Sequence, residues 1–219
     1  MIKAVLFDLD GTLIDSESYY VNGTIEWLSE CGINIEFKTA SGIIGKTMDD
    51  TYSYIAQISG LDLDTIINKN TDYFLNRNPL NFNKLLFKDV KKCFEELKKQ
   101  AISVSICSMS PQNYIKQFID ECKLHEYVNN YYSGDDCNNT KPNPEIYLKA
   151  INDLKLNNKE ILIVEDAPSG LKAGKDSGAY VIARNDAKFG LNQDDALYIL
   201  EDLKELNTII MEINNGKFD

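Results

Sequence analysis

Short, almost wholly apolar runs that stop abruptly at polar residues recur along this chain and constrain its fold more than any other feature. The first, Lys3-Ala4-Val5-Leu6-Phe7, is closed by Asp8-Leu9-Asp10-Gly11. Such a run is the pattern of a strand covered on both faces, and Asp10-Gly11 marks the turn after it. Ile102-Ser103-Val104-Ser105-Ile106-Cys107, Ile161-Leu162-Ile163-Val164 and Ala179-Tyr180-Val181-Ile182-Ala183 repeat the pattern. Helix-period segments at about 87–100, 111–123, 144–154 and 168–177 separate these runs. Alternation of this kind predicts an α/β fold, a parallel sheet with helices on both faces. Pro111, Pro144 and Pro168 stand where first helical residues fall, and Gly178 after Ser177 reads as a helix stop.

Residues from about 16 to 85 interrupt the alternation, with helical stretches near 16–31, 47–59 and 63–76 and no strand-like run among them. They read as a helical insertion between the first and second core strands. The polar, proline-containing segment from Asn76 to Asn83 then serves as the return linker. A length of 219 residues suits one domain plus a sizeable insertion.

A net charge of -11 argues against a polyanionic partner, because nucleic-acid affinity comes mostly from Lys and Arg at phosphates. No stretch approaches the roughly 20 apolar residues of a membrane span, and Met1 leads into a strand without a signal-peptide pattern. The expectation is a cytoplasmic protein acting on a small metabolite, with no nucleic acid and no membrane, and a monomer by default. Cys31, Cys93, Cys107, Cys122 and Cys137 are odd in number and form no C-x-x-C pair, which points to reduced structural thiols. His125, the single histidine, leaves no room for a His-rich metal site and reads as a surface or capping residue.

Four clusters stand at the ends of the apolar runs or beside them. Asp8 and Asp10 lie two residues apart in Phe7-Asp8-Leu9-Asp10-Gly11-Thr12. An ordinary Asp-Gly turn would look similar, but two close carboxylates repel unless a cation or a division into charged and neutral roles relieves them. Ser108 follows the second run and precedes Met109-Ser110-Pro111, where a helix start can hold phosphate oxygens or simply be capped. Lys141 is stiffened by Pro142 and Pro144, unlike an ordinary solvated lysine. Glu165-Asp166 is a second acidic pair after a buried run, costly without exposure or a cation. In an open parallel sheet the carboxyl ends of the strands share one rim, so the four clusters can share one site.

These motifs, in this order, resemble those of the haloacid dehalogenase-like hydrolases: Asp8-Leu9-Asp10-Gly11-Thr12, Ser108, Lys141 with its Pro-x-Pro, and Glu165-Asp166. The resemblance covers roughly 1–15 and 86–200 and is nearest to the beta-phosphoglucomutase-like branch of capped sugar-phosphate phosphatases. It implies a Rossmann-like doubly wound core at 1–15 and 86–219 and an α-helical cap domain at 16–85. It also implies Asp8 as a nucleophile that becomes phosphorylated and Asp10 as its acid and base. Ser108, Met109 and Lys141 would bind phosphate. The implied cofactor is Mg²⁺, held by Asp8, the Asp10 carbonyl and Asp166, with Glu165 nearby or acting through water.

Gly45-Lys46-Thr47 corresponds to the family's substrate-facing cap loop, although a polar helix start before Met48 explains it equally well. Tyr20 and Met48 stand where the mutases of this branch carry a histidine and an arginine. That departure favours hydrolysis of a small phosphorylated metabolite over phosphoryl transfer between sugar hydroxyls. A catalytically inactive binding module is disfavoured because every motif carboxylate is retained. Tyr19, Tyr20, Trp27, Tyr52 and Tyr54 could form a binding face for a partner, but their helical spacing favours core packing within the insertion.

Overall fold

The computed structural model describes residues 1–218. In chain order the elements are β1 (Ala4–Phe7), α1 (Ser16–Glu30), α2 (Phe37–Ala40), α3 (Met48–Ser59), α4 (Leu63–Asp72), α5 (Phe82–Leu85) and α6 (Val90–Lys99). There follow β2 (Ser103–Ser108), α7 (Gln112–Cys122), β3 (Val128–Ser133), α8 (Glu145–Leu154), β4 (Ile161–Glu165), α9 (Pro168–Asp176), β5 (Tyr180–Arg184), β6 (Ile199–Leu200) and α10 (Leu206–Asn214). The chain divides into two compact units: Met1–Ile14 with the chain from Leu86 onward, and Asp15–Leu85.

The first unit is built on a six-stranded sheet of order β3-β2-β1-β4-β5-β6, with every pairing parallel. This is the doubly wound Rossmann order, in which the winding reverses beside the first strand. Successive side chains of a strand face opposite ways, so each central strand feeds two apolar layers. Ala4, Leu6, Ile161, Ile163 and Val181 pack with Tyr147 and Ala150 of α8 and Leu171 and Ala173 of α9. Phe7 faces the other way and meets Phe94 of α6, their rings 5.2 Å apart. Both faces being covered explains why these strands read as continuous apolar runs.

Several features differ from the sequence reading. β3 was not anticipated: it lies at the edge of the sheet, among the described residues pairs only with β2, and exposes Asn129, Asn130 and Tyr131, so it needs no apolar run. β6 and α10 also lie beyond the elements read from sequence, although α10 buries Leu206, Ile209, Ile210 and Ile213 at helical spacing. Pro111 and Pro144 stand one position before the first helical residue, whereas Pro168 opens α9 itself. Ser108 is the last residue of β2 rather than the residue after it.

The second unit is wholly helical. Its α4 continues into a wider π turn over Tyr73–Arg77, and α5 follows, so the polar segment near Pro79 is less of a free linker than expected. Phe82 there is fully buried. Trp27 is also fully buried, and Tyr19, Tyr20 and Phe74 form a ring cluster with centroids 5.0 to 5.3 Å apart. No helix among the described residues is long and apolar enough to cross a membrane.

Candidate active site

Register places the chemistry. Phe7 pairs with Ile106 on one side and Val164 on the other, so the residues after them, Asp8, Cys107 and Glu165, emerge side by side. The Asp8 amide donates to the Val164 carbonyl at 2.9 Å, extending the ladder by one step and fixing the base of the Asp8 side chain. β1 and β4 are the strands on either side of the winding reversal, where open α/β sheets place their ligand crevice.

Lys141 enters from the segment before α8. Its ammonium donates to Asp8 Oδ1 at 2.5 Å, Glu165 Oε1 at 2.6 Å and the Cys107 carbonyl at 3.0 Å. An ammonium has three hydrogens, so these three partners account for all of them. Glu165 is equally engaged: Oε1 also accepts the Tyr147 hydroxyl at 2.5 Å, and Oε2 accepts the Asp166 amide at 3.2 Å. Asp166 Oδ1 accepts the Thr12 hydroxyl at 2.9 Å, while Gln193 donates to the Asp166 carbonyl at 2.7 Å. Carboxylate oxygens of Asp8, Glu165 and Asp166 all lie within 4.8 Å of one another, and all three residues are buried.

Burial pushes the Asp8 carboxyl up to about 8, opposed by Lys141 and reinforced by Glu165 and Asp10. Burial alone would lower the Lys141 ammonium, but the facing charges of Asp8 and Glu165 outweigh it and raise its pKa, so Lys141 stays charged. Burial, then the charges of Glu165 and Asp8, raises the Tyr147 phenol well above its usual value and keeps it a donor. Burial likewise raises the Cys107 thiol, leaving that residue chemically inert.

Two glycines leave room for the carboxylates. A Cβ on Gly170 would lie 1.8 Å from Glu165 Oε1, and one on Gly11, whose φ is +81°, would lie 2.1 Å from Asp166 Oδ2. Both contacts are far inside any tolerable separation, so the first turn of α9 and the turn after β1 approach the acids only because those side chains are absent.

Asp10, half-buried, is held by two hydroxyls: Ser110 donates to Oδ2 at 2.9 Å and Tyr114 to Oδ1 at 3.0 Å. The buried Ser108 hydroxyl accepts the Ser110 amide at 3.0 Å. Met109 lies between them, half-buried against the apolar layer under α8. Thus Asp8, Glu165, Asp166 and Lys141 form one connected cluster, and Asp10 is tied to the segment after Ser108.

Tyr20, Gly45, Lys46 and Thr47 belong to the helical unit. Thr47 caps α3 by accepting the Asp50 amide, Lys46 lies over the Tyr54 ring at 5.5 Å, Gly45 adopts φ +71° and Tyr20 joins the ring cluster. Each has a local structural task within that unit.

Tyr147, Tyr114, Thr12 and Gln193 were not singled out from the sequence. Thr12 lies inside a motif already noted there and Tyr147 in the helix-period segment after Lys141, and only the fold shows that their hydroxyls meet acids. Tyr114 and Gln193 carry no signal in one dimension.

The sequence model for haloacid dehalogenase-like hydrolases matches residues 5–184. The chain is 26% identical to the pyrophosphatase PpaX of Bacillus mycoides, over 97% of this chain and 99% of that protein. It is 24% identical to a phosphorylated carbohydrates phosphatase of Thermotoga maritima, over 81% and 82% of the two chains. Its fold matches a crystal structure of beta-phosphoglucomutase from Clostridium difficile with a TM-score of 0.72, 19% identity and complete coverage of both chains.

Proposed function

This chain belongs to the haloacid dehalogenase-like hydrolase family and is a hydrolase, and from that premise we propose that it is a magnesium-dependent phosphatase acting on a small phosphate monoester through a phosphorylated Asp8. One observation carries the reading: Asp8, at the winding reversal, is bonded to one buried ammonium and shares its surroundings with two more buried carboxylates.

The donor set fits the cation. All the clustered ligand atoms are carboxylate oxygens, which suit Mg²⁺ rather than a softer metal. Counted as ionised, three carboxylates against the one ammonium of Lys141 leave two negative charges, the complement of a divalent ion. Asp8, Asp166 and the Asp10 carbonyl would hold it. Both Glu165 oxygens already accept protein donors, which suits Glu165 to fixing Lys141 and to reaching the ion through water. Bound there, Mg²⁺ would reduce the repulsion between the attacking carboxylate and an anionic phosphate.

In the first step an Asp8 oxygen attacks phosphorus, the bond to the leaving oxygen breaks, and Asp10 gives that oxygen its proton. In the second, Asp10 takes a proton from water, the water oxygen attacks phosphorus, and the Asp8–phosphorus bond breaks to release inorganic phosphate. Ser108, the Met109 amide and Lys141 would bind the phosphate oxygens. Lys141 would exchange one of its present partners for phosphate, so it restrains Asp8 until substrate arrives. Gly45, Lys46, Thr47 and Tyr20 would supply contacts to the leaving group from a cap.

The relative from Thermotoga maritima, named for phosphorylated carbohydrates, supports a sugar phosphate as substrate, and PpaX adds pyrophosphate to the panel worth testing. Phosphoryl transfer between sugar hydroxyls is the second reading, favoured by the fold match to a beta-phosphoglucomutase. The decisive assay is phosphate release from sugar phosphates, nucleotides, acyl phosphates and pyrophosphate with Mg²⁺, comparing wild type with Asp8→Asn. The variant is expected to lose on the order of a thousandfold or more. Retained activity would show that Asp8 is not the nucleophile, and a bisphosphate requirement with an isomerised product would establish the mutase.

A further inference from the structure

We infer that Ser110 and Tyr114 form a two-hydroxyl clamp that holds the Asp10 carboxylate ready for proton transfer, making both of them positioning residues for departure of the leaving group. This rests on the reading of Asp10 as acid and base.

The clamp takes both oxygens of one side chain. Ser110 donates to Oδ2 and Tyr114 to Oδ1, at 2.9 and 3.0 Å, so rotation of the carboxylate about its last bond would break two hydrogen bonds together. Its jaws are themselves anchored. The Ser110 amide donates to the Ser108 hydroxyl at 3.0 Å, and its carbonyl accepts the Ser133 hydroxyl of β3 at 2.7 Å. The first amide of α7, that of Gln112, donates to Asp135 at 2.9 Å, and Tyr114 follows in the same helical turn. Serine and tyrosine therefore project from a segment tied to the ends of two strands, and side chains on such supports hold orientation better than those on free loops.

The chemistry of the jaws suits a group that must change its protonation state. Neutral hydroxyls donate to the carboxylate, can turn to accept from the protonated acid, and leave a second lone pair on each carboxylate oxygen. The contrast with Asp8 lies on the same rim. Asp8, which attacks as a carboxylate, faces the ammonium of Lys141, whereas Asp10 faces one phenolic and one alcoholic donor.

The test exploits leaving-group chemistry. An alkoxide must be protonated as it leaves and a p-nitrophenolate need not be, so only the alkyl ester depends on the acid at its first irreversible step. The readout is the ratio of kcat/KM for an alkyl phosphate to kcat/KM for p-nitrophenyl phosphate, with urea midpoints checking that the variants fold. Tyr114→Phe and Ser110→Ala are each expected to lower that ratio about tenfold, within the range that general acids supply. Ser110→Thr, which keeps the hydroxyl, should restore it. Asp10→Asn should lower the ratio further. An unchanged ratio in Tyr114→Phe and Ser110→Ala, including an equal fall for both esters, would overturn the clamp while leaving Asp10 as the acid. An unchanged ratio in Asp10→Asn would instead overturn the role of Asp10 itself.

Discussion

At the amino end of the β1–β4 pair, Lys3 meets Glu160 at 2.6 Å on the surface; at the carboxyl end of the same two strands, Lys141 meets Asp8 and Glu165 at 2.5 and 2.6 Å inside the protein. The distances are alike and the physics differs. Lys3 leaves most of its side chain in water and faces Glu160, whose pKa is lowered to about 2, first by the Lys3 hydrogen bond and then by Asn157. The Lys141 side chain is 7% exposed and stands among buried acids, and the Asp8 carboxyl is raised to about 8. One end is electrostatically satisfied and adds only to stability. At the other end folding has gathered more negative charge than it neutralises, an arrangement typical of sites that bind a cation or do chemistry.

The two ends should therefore respond unequally when their lysines are removed. Lys141→Ala leaves Asp8 and Glu165 facing each other without the ammonium they share, and breaking a buried pair in this way costs about 3–5 kcal/mol. Turnover should also fall at least about tenfold through lost charge stabilisation at the transferred phosphate. Urea midpoints and steady-state rates check both effects. Near wild-type turnover would reject the role given to Lys141, and an unchanged midpoint would reject the contrast between the ends.

A smaller change sharpens the same contrast from beneath. Tyr147→Phe removes one donor to a buried, charged acceptor while keeping the ring in the apolar layer under α8. Losing a hydrogen bond of this kind costs about 1.5–3 kcal/mol. Midpoints at saturating Mg²⁺ should show a loss inside that range, and turnover should fall by less than in Lys141→Ala. A midpoint equal to wild type would mean that Lys141 and the Asp166 amide alone hold Glu165.

Why the fold was legible and part of the site was not follows from what a sequence can encode locally. β1, β2, β4 and β5 are covered on both faces, so burial writes itself into runs of adjacent residues. β3 lies at an edge, where half its residues face water and no run is required. Asp8, Lys141, Glu165 and Asp166 stand out because acids after buried strands and a lysine between prolines are unusual in one dimension. Tyr147 reaches Glu165 across 18 positions and Tyr114 reaches Asp10 across 104, so their meeting depends on helix placement alone. Gly170 is the intermediate case. It stands beside the acidic pair in sequence, yet its reason, the 1.8 Å between a Cβ there and Glu165, exists only in three dimensions.

The smallest effect belongs to the amino end, and its sign depends on pH. Glu160 has a folded pKa of about 2 against an ordinary 4.5, so the folded state holds its proton less tightly than the unfolded chain. Its contribution to stability is therefore complete above 4.5 and disappears as pH falls toward 2. Lys3→Ala removes the leading cause of that depression. The variant should unfold at slightly lower urea than wild type at pH 7, and the gap should narrow steadily as pH falls below 4.5. Added salt should narrow it as well, because both partners reach solvent. A gap of constant size from pH 7 to pH 3 would show that Lys3 acts through the packing of its aliphatic stem, and the amino end would then no longer serve as the electrostatically satisfied reference for the carboxyl end.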